Sequence, residues 1–288
     1  MSATPRRVVL CADDYGIAPG VSRGIRELAE AGRISATSVM TNGLDWPAGA
    51  PGLKALDGRI GIGLHLNLTA GAPLGPMPRL APDRRFPPLG ATIRNGLLGR
   101  LDPGEIGAEI ERQLAAFEAA MGRRPDFLDG HQHVHVVPGV RQALLRVLAS
   151  RSGERPWLRD PSDRLPAILA RDARPKAMTV GALATGFRRA ARAAGLATND
   201  GFSGFSPLDA ADANRVAVLF ERAFARLGPK PLVMCHPGHV DGSLATIDPV
   251  LAPREAELRF LASDAFAELL KRRGLALVRS PLASRDPA

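Results

Sequence analysis

Cysteine is nearly absent from this chain of 288 residues: Cys11 and Cys235 are too few for a disulfide framework and form no CxxC pair, which fits a reducing compartment. Lysine is almost as scarce. Lys54, Lys176, Lys230 and Lys271 are the only four among 38 basic residues, so the formal charge of +9 rests on arginines spread along the chain, a bias that reads as coding composition. Aromatic residues make up 5%, and the most basic stretch, 151–192, sets ten basic residues against four acidic without the interleaved aromatics that stack single-stranded bases. Nucleic acid is therefore not the expected partner. No run of 18 apolar residues exists to span a bilayer, and the apolar stretch after Arg6 and Arg7 reaches Asp13 too soon for a secretory signal, so a cytoplasmic location without stable membrane insertion is expected. A glycine-rich phosphate loop and any repeat of 20–50 residues are also missing.

In bulk the chain is ordinary, with 45% hydrophobic and 23% charged residues, and long enough to bury a core without staples. Its pattern alternates between two periods. The apolar run 7–12 ends in charge, and Pro19 then opens a segment whose Val21, Ile25 and Leu28 recur at helical spacing. Residues 35–40 and 59–68 read as strands, 70–102 as a long proline- and glycine-rich rim loop, and Ile106, Ile110, Leu114 and Phe117 as the buried face of a helix after Pro103. PheLeuAspGlyHis, 157–159, 199–203, 231–236 and 275–279 supply the remaining strand candidates. Seven or eight strand-then-helix units with short, continuously apolar strands predict an α/β architecture around a parallel sheet. A closed barrel over residues 1–288 is the expectation, with no domain boundary, because the chemically capable residues stand at several strand ends and a barrel converges those ends on one mouth.

Those residues fall into four runs. AlaAspAspTyrGly at 12–16 places two adjacent carboxylates, Asp13 and Asp14, at a strand end; one alone would serve as a helix cap, but two repel unless a cation relieves them. GlyLeuHisLeuAsn at 63–67 presents His65, which by itself reads more simply as a satisfied buried histidine. AspGlyHisGlnHisValHis at 129–135 holds half of the six histidines, and an extended conformation would put Asp129, His131, His133 and His135 on one face. CysHisProGlyHis at 235–239 bends the chain so that His236 aims into the mouth, with His239 beyond the bend. Imidazole and carboxylate converging from several strand ends is the donor set of a divalent-metal hydrolase.

Taken in order, AlaAspAspTyrGly, GlyLeuHisLeuAsnLeuThr, PheLeuAspGlyHisGlnHisValHis and MetCysHisProGly resemble the YdjC-like carbohydrate deacetylases, a family that includes chitooligosaccharide deacetylases and hopanoid-biosynthesis-associated deacetylases. The four runs cover positions 12–238, and they are specific as a set. The resemblance implies a distorted TIM-like barrel, a divalent metal on Asp14, His65 and His131, Asp13 as the catalytic base, and His236 as an acid or oxyanion partner. It also implies a homodimer. Arg159 resembles a family arginine that orients a carboxylate or the substrate, and Gln132 stands where the family often has a further histidine.

The resemblance also implies the reaction, removal of an N-acetyl group from an amino sugar in an oligosaccharide or a glycolipid, and metal-activated water is chemistry that agrees with it. Asp129 would orient a ligand histidine through its second nitrogen, the run 202–206 with Phe202 and Phe205 and the 70–102 loop are where the sugar is expected, and His133 and His135 would either touch the substrate or support the residues that do. An Asp-His-His set accepts Zn, Mn, Co or Mg, its nitrogen ligands favouring the transition metals, while the resemblance implies magnesium, so Mg or Zn is expected before Mn or Co. The competing readings are a metal-dependent hydrolase of another bond, such as a phosphoester, and a carbohydrate-binding barrel that has lost catalysis.

Overall fold

The computed structural model describes residues 4–207 and 209–282. Eight parallel strands form its centre: β1 (Arg6–Tyr15), β2 (Ala36–Val39), β3 (Gly61–Leu66), β4 (Phe127–Gly130), β5 (Trp157–Leu158), β6 (Phe202–Ser203), β7 (Leu232–Cys235) and β8 (Leu275–Leu277). The order is β5-β4-β3-β2-β1-β7-β6, with β8 pairing to the first residues of β1. The sheet curls toward closure between its two shortest strands. There the ladder is replaced by single contacts: Leu158 N–H donates to the Ala197 carbonyl, Asp160 N–H to Asn199 Oδ1, and Asn199 Nδ2 back to the Asp160 carbonyl. This is the (β/α) barrel that the strand-then-helix alternation predicted, distorted at that seam as the family resemblance implied.

Period-two alternation decides what faces the barrel axis. Val9, Cys11, Ala36, Phe127, Trp157, Phe202, Leu232 and Met234 form one buried cluster inside the barrel, whereas Val8, Leu10, Ala12, Ile62, Leu64 and Leu128 pack outward against the helices. Continuing that alternation by two residues places Asp13, Ser38, His65, Asp129, Arg159 and His236 on the inner side at the carboxyl ends of their strands. The glycines of β3 make the interior possible. A methyl on Gly63 would lie 2.5 Å from the Phe127 ring, which is itself stacked on Trp157 at 4.5 Å.

The outer layer follows the sequence pattern. The helix Pro19–Glu30 begins with proline in its first turn and buries Val21, Ile25 and Leu28. The helix Pro103–Met121 is capped by Asp102, whose side chain accepts from the N–H groups of Gly104 and Glu105, and ends at Gly122 with φ 74°. Residues 70–102 differ from the expected loop: they contain a helix, Leu89–Leu97, hidden in the sequence by Pro87, Pro88 and three nearby glycines. The segment is also tied down. Leu74 N–H donates to Glu109, Arg79 and Leu80 N–H to Glu105, and Met77, Leu80 and Phe86 enter the core.

Part of the charge of the basic stretch 151–192 is spent internally. Arg171 reaches Asp163 and the carbonyls of Phe202, Ala225 and Arg226, and Arg188 bridges Asp160 and Asp200. Among the described residues, no helix is long and apolar enough to cross a membrane.

Candidate metal centre

At the carboxyl end of β1 the pairing with β2 shifts register between Ala12 and Tyr15, and Asp14 takes φ 71°. This bulge is why two neighbouring aspartates serve one cavity. Asp13 follows the alternation into the barrel, while Asp14, which regular pleating would turn outward, is redirected by its left-handed backbone, a conformation costing on the order of 1–3 kcal/mol. Both are about 1% exposed.

Asp14 Oδ1 lies 3.2 Å from His65 Nε2 and 2.9 Å from His131 Nδ1. One ligand atom from each of these residues falls within 4.8 Å of the others, so the three side chains can hold a metal ion. The tautomer suits that use: His65 Nδ1 is 2.6 Å from Asp129 Oδ1 and 3.0 Å from Ser38 Oγ, which leaves Nε2 as the nitrogen turned to Asp14. Burial alone would lower the His65 imidazole, but Asp129, then Asp14 and Asp13, outweigh it and raise it to about 10. The retained proton is what a cation would displace from such a pocket.

Asp13 has a different partner. Arg159 donates to both its oxygens, at 2.6 and 2.7 Å, contacts Asp129 Oδ2 at 2.5 Å, and lies 3.1 Å from Cys11 Sγ. Cys11, Asp13 and Asp129 also converge, each with a ligand-type atom within 4.8 Å of the others, but the Arg159 guanidinium is the cation among them. Burial pushes the Asp13 carboxyl up, yet Arg159 by charge and hydrogen bonding, with His65 and His236, holds it well below the ordinary carboxylate range. Asp14 behaves alike: burial is outweighed by Arg254 and then His131. The carboxylate repulsion read from the sequence is thus relieved by two guanidiniums as well as by imidazoles.

The run 129–135 does not continue as a strand. β4 ends at Gly130, and His131–Val136 is a 3-10 turn in which Gln132 (φ 52°) and His133 (φ 60°) are left-handed. The period-two face predicted for four residues is therefore corrected: the turn sends the three histidines to three places. His131 joins Asp14. His133 packs edge-on against Phe202 and Phe205, with centroids 5.6 and 5.2 Å away, and its Nδ1 has no hydrogen-bond partner. His135 is fully buried, its Nε2 2.9 Å from the Arg159 carbonyl and its ring against Phe187, away from the mouth.

His236 follows β7; its N–H donates to Glu257 Oε2 at 2.6 Å, and burial lowers its imidazole to about 4 despite Asp14 and Asp13. His239 points elsewhere, to Glu27 at 2.8 Å. Phe202 is buried beneath Arg159, whose Cζ is 5.7 Å from the ring centroid, whereas Phe205 is partly exposed. Arg159, with no exposed surface, orients carboxylates and does not reach the mouth.

Sequence reasoning missed Ser38, Arg254, Asp248 and Glu257. Ser38 carried a signal, a hydroxyl at an inward position of an apolar strand, where it donates to Asp13 Oδ1 at 3.2 Å. Arg254 carried none, since it sits on a helix 240 residues from Asp14.

The matched family is described as YdjC-like protein, and the match runs over residues 7–272. The chain belongs to the YdjC-like family. A human carbohydrate deacetylase is 35% identical over 60% of this chain and 58% of its own length, and a Serratia marcescens chitooligosaccharide deacetylase is 36% identical over 51% and 56%. This YdjC-like chain thus spans less than two thirds of the curated relatives it matches. An Enterococcus faecalis structure titled as a cellobiose-phosphate cleavage protein superposes with a TM-score of 0.70 over 96% of this chain and 98% of its own, at 19% identity, which establishes the shared fold.

Proposed function

We propose that this YdjC-like protein is a metal-dependent hydrolase that removes an N-acetyl group from an amino sugar carried on an oligosaccharide or glycolipid. The observation that carries the reading is the convergence of Asp14 Oδ1, His65 Nε2 and His131 Nδ1 beside a clamped Asp13 at the open end of the barrel. The names of the human and Serratia relatives support the choice of bond. A divalent ion on those three atoms, Mg or Zn before Mn or Co, would supply a Lewis acid for the acetyl carbonyl and acidify its bound water.

The chain's own groups do the rest. Asp129 and Ser38 fix the His65 ring. Asp13, kept anionic by Arg159, receives the proton of the attacking water. The resting His236 is neutral, so the proton it gives to the leaving amine is acquired within the cycle, and the water supplies one proton for each amine released. His133 and Phe205 offer an apolar wall with a spare imidazole nitrogen for a sugar face, backed by the buried Phe202.

The test is acetate release from N-acetylated sugars, diacetylchitobiose among them, by chelator-treated protein with and without each added metal. Release that requires metal and disappears in Asp13→Asn and His131→Ala supports the proposal. Metal-dependent cleavage of phosphoesters alone, or binding of sugars without release under any metal, would overturn it.

A further inference from the structure

We infer that Arg254 is a positioning residue that sorts the two adjacent aspartates and commits Asp14 to serving through a single oxygen, an inference that rests on the metal-centre reading above. Asp13 and Asp14 are both buried and each is met by a guanidinium, but the two are met differently. Arg159 takes both oxygens of Asp13. Arg254 takes only Oδ2 of Asp14, at 2.6 Å, leaving Oδ1 to His65 and His131. The two arginines thus hold the aspartates differently: Asp13 is gripped through both oxygens and kept anionic, and Asp14 is left with one oxygen facing the histidines.

Arg254 is itself held in place. It is 3% exposed on the helix Ala252–Ala262, and Asp248 Oδ2 accepts from its Nη2 at 2.5 Å and its Nε at 3.1 Å. A carboxylate whose second oxygen is occupied cannot swing to embrace a cation with both, so coordination positions stay open for water and substrate. The charges agree with a divalent guest. Four carboxylates, Asp13, Asp14, Asp129 and Asp248, meet only two guanidiniums, Arg159 and Arg254, and once a cation displaces the extra proton of His65 the cluster keeps an excess of negative charge for that cation to match.

The experiment compares wild type with Arg254→Met, Arg254→Lys and Asp248→Asn, reading metal affinity by calorimetry on stripped protein, the visible spectrum of the cobalt-loaded form, and kcat and KM on diacetylchitobiose. In Arg254→Met the affinity is expected to stay level or tighten, because Oδ2 is freed, while kcat falls about 10–100-fold with KM little changed. The cobalt spectrum should weaken as coordination number rises. Arg254→Lys should recover part of the kcat, and Asp248→Asn, which keeps the guanidinium, should fall between; these two carry the comparison if Arg254→Met does not fold. Affinity and kcat falling together, as a purely structural role would give, overturns the inference, as does a wild-type kcat and spectrum in Arg254→Met. A wild-type protein that binds none of the metals overturns the metal-centre reading along with it.

Discussion

Replacing Arg159 with methionine should be among the most damaging single changes in this protein, and its cost should depend on pH. Arg159 is the largest fully buried side chain, with its guanidinium shared between Asp13 and Asp129 at 2.5–2.7 Å. Methionine fills much of the volume but leaves two buried carboxylates that have lost their cation. Removing one partner from a buried ion pair costs about 3–5 kcal/mol, which in a chain of this size moves the unfolding midpoint by on the order of 10 °C. In the wild type Asp13 is held low, so its contribution is complete above the ordinary carboxylate pKa and is lost only as pH falls through the lower folded value. In the variant the sign reverses. Burial now acts without Arg159, the carboxyl rises, and the penalty is greatest above that raised value and eases as pH falls. Urea unfolding followed by circular dichroism at pH 8, 7 and 5 should therefore show the gap between the two proteins narrowing toward acid. A gap under about 1 kcal/mol at pH 7, or one that does not change with pH, would refute the account of Arg159 as the counter-ion of these carboxylates. Asp13→Asn combined with Arg159→Met should recover stability but not activity.

Burial raises Glu257 to about 7, so its carboxyl favours the fold below its ordinary range and loses that contribution as pH climbs from about 4.5 to 7. Glu257→Gln keeps an acceptor for the His236 N–H and should flatten the stability profile by on the order of 3 kcal/mol across that window; identical slopes in both proteins would contradict this. Gly63→Ala forces a methyl against a Phe127 ring already stacked on Trp157, and thermal unfolding should register a loss of about 1–3 kcal/mol. An unchanged melting temperature would mean that the interior yields more than its packing implies. Ser38→Ala deletes the hydroxyl between Asp13 and His65 and should cost about 1–3 kcal/mol, with wild-type stability and turnover together as the result that would count against its bridging role.

Much of the barrel was readable because it rests on short-range regularities. Val21, Ile25 and Leu28, or Ile106, Ile110, Leu114 and Phe117, repeat at a helical period that needs no knowledge of neighbours. Strand positions were readable as brief apolar runs bounded by glycine and proline. The helix Leu89–Leu97 escaped because its face is poor in apolar residues, with only Thr92 and Gly96 buried, and its support comes from elsewhere in the chain. The histidine run failed for a different reason. Alternation is a strand signal only while the backbone stays extended, and two consecutive left-handed residues, Gln132 and His133, broke it where nothing in their identities announced the turn.

Sequence by itself determined the chemical inventory and its order: adjacent carboxylates, an isolated strand-end histidine, a histidine cluster and a histidine before a proline bend, each following a buried strand. Periodicity is local, so it also determined that those strands lie parallel between helices. Only the tertiary structure decided the partnerships. The bulge that turns Asp14 inward, the guanidiniums of Arg159 and Arg254 that divide the carboxylate oxygens, and the turn that parts His131 from His133 and His135 all depend on groups up to 240 residues apart meeting at one end of the barrel. Charge pairing in a buried cavity is set by distance in space, and chain separation carries no trace of it.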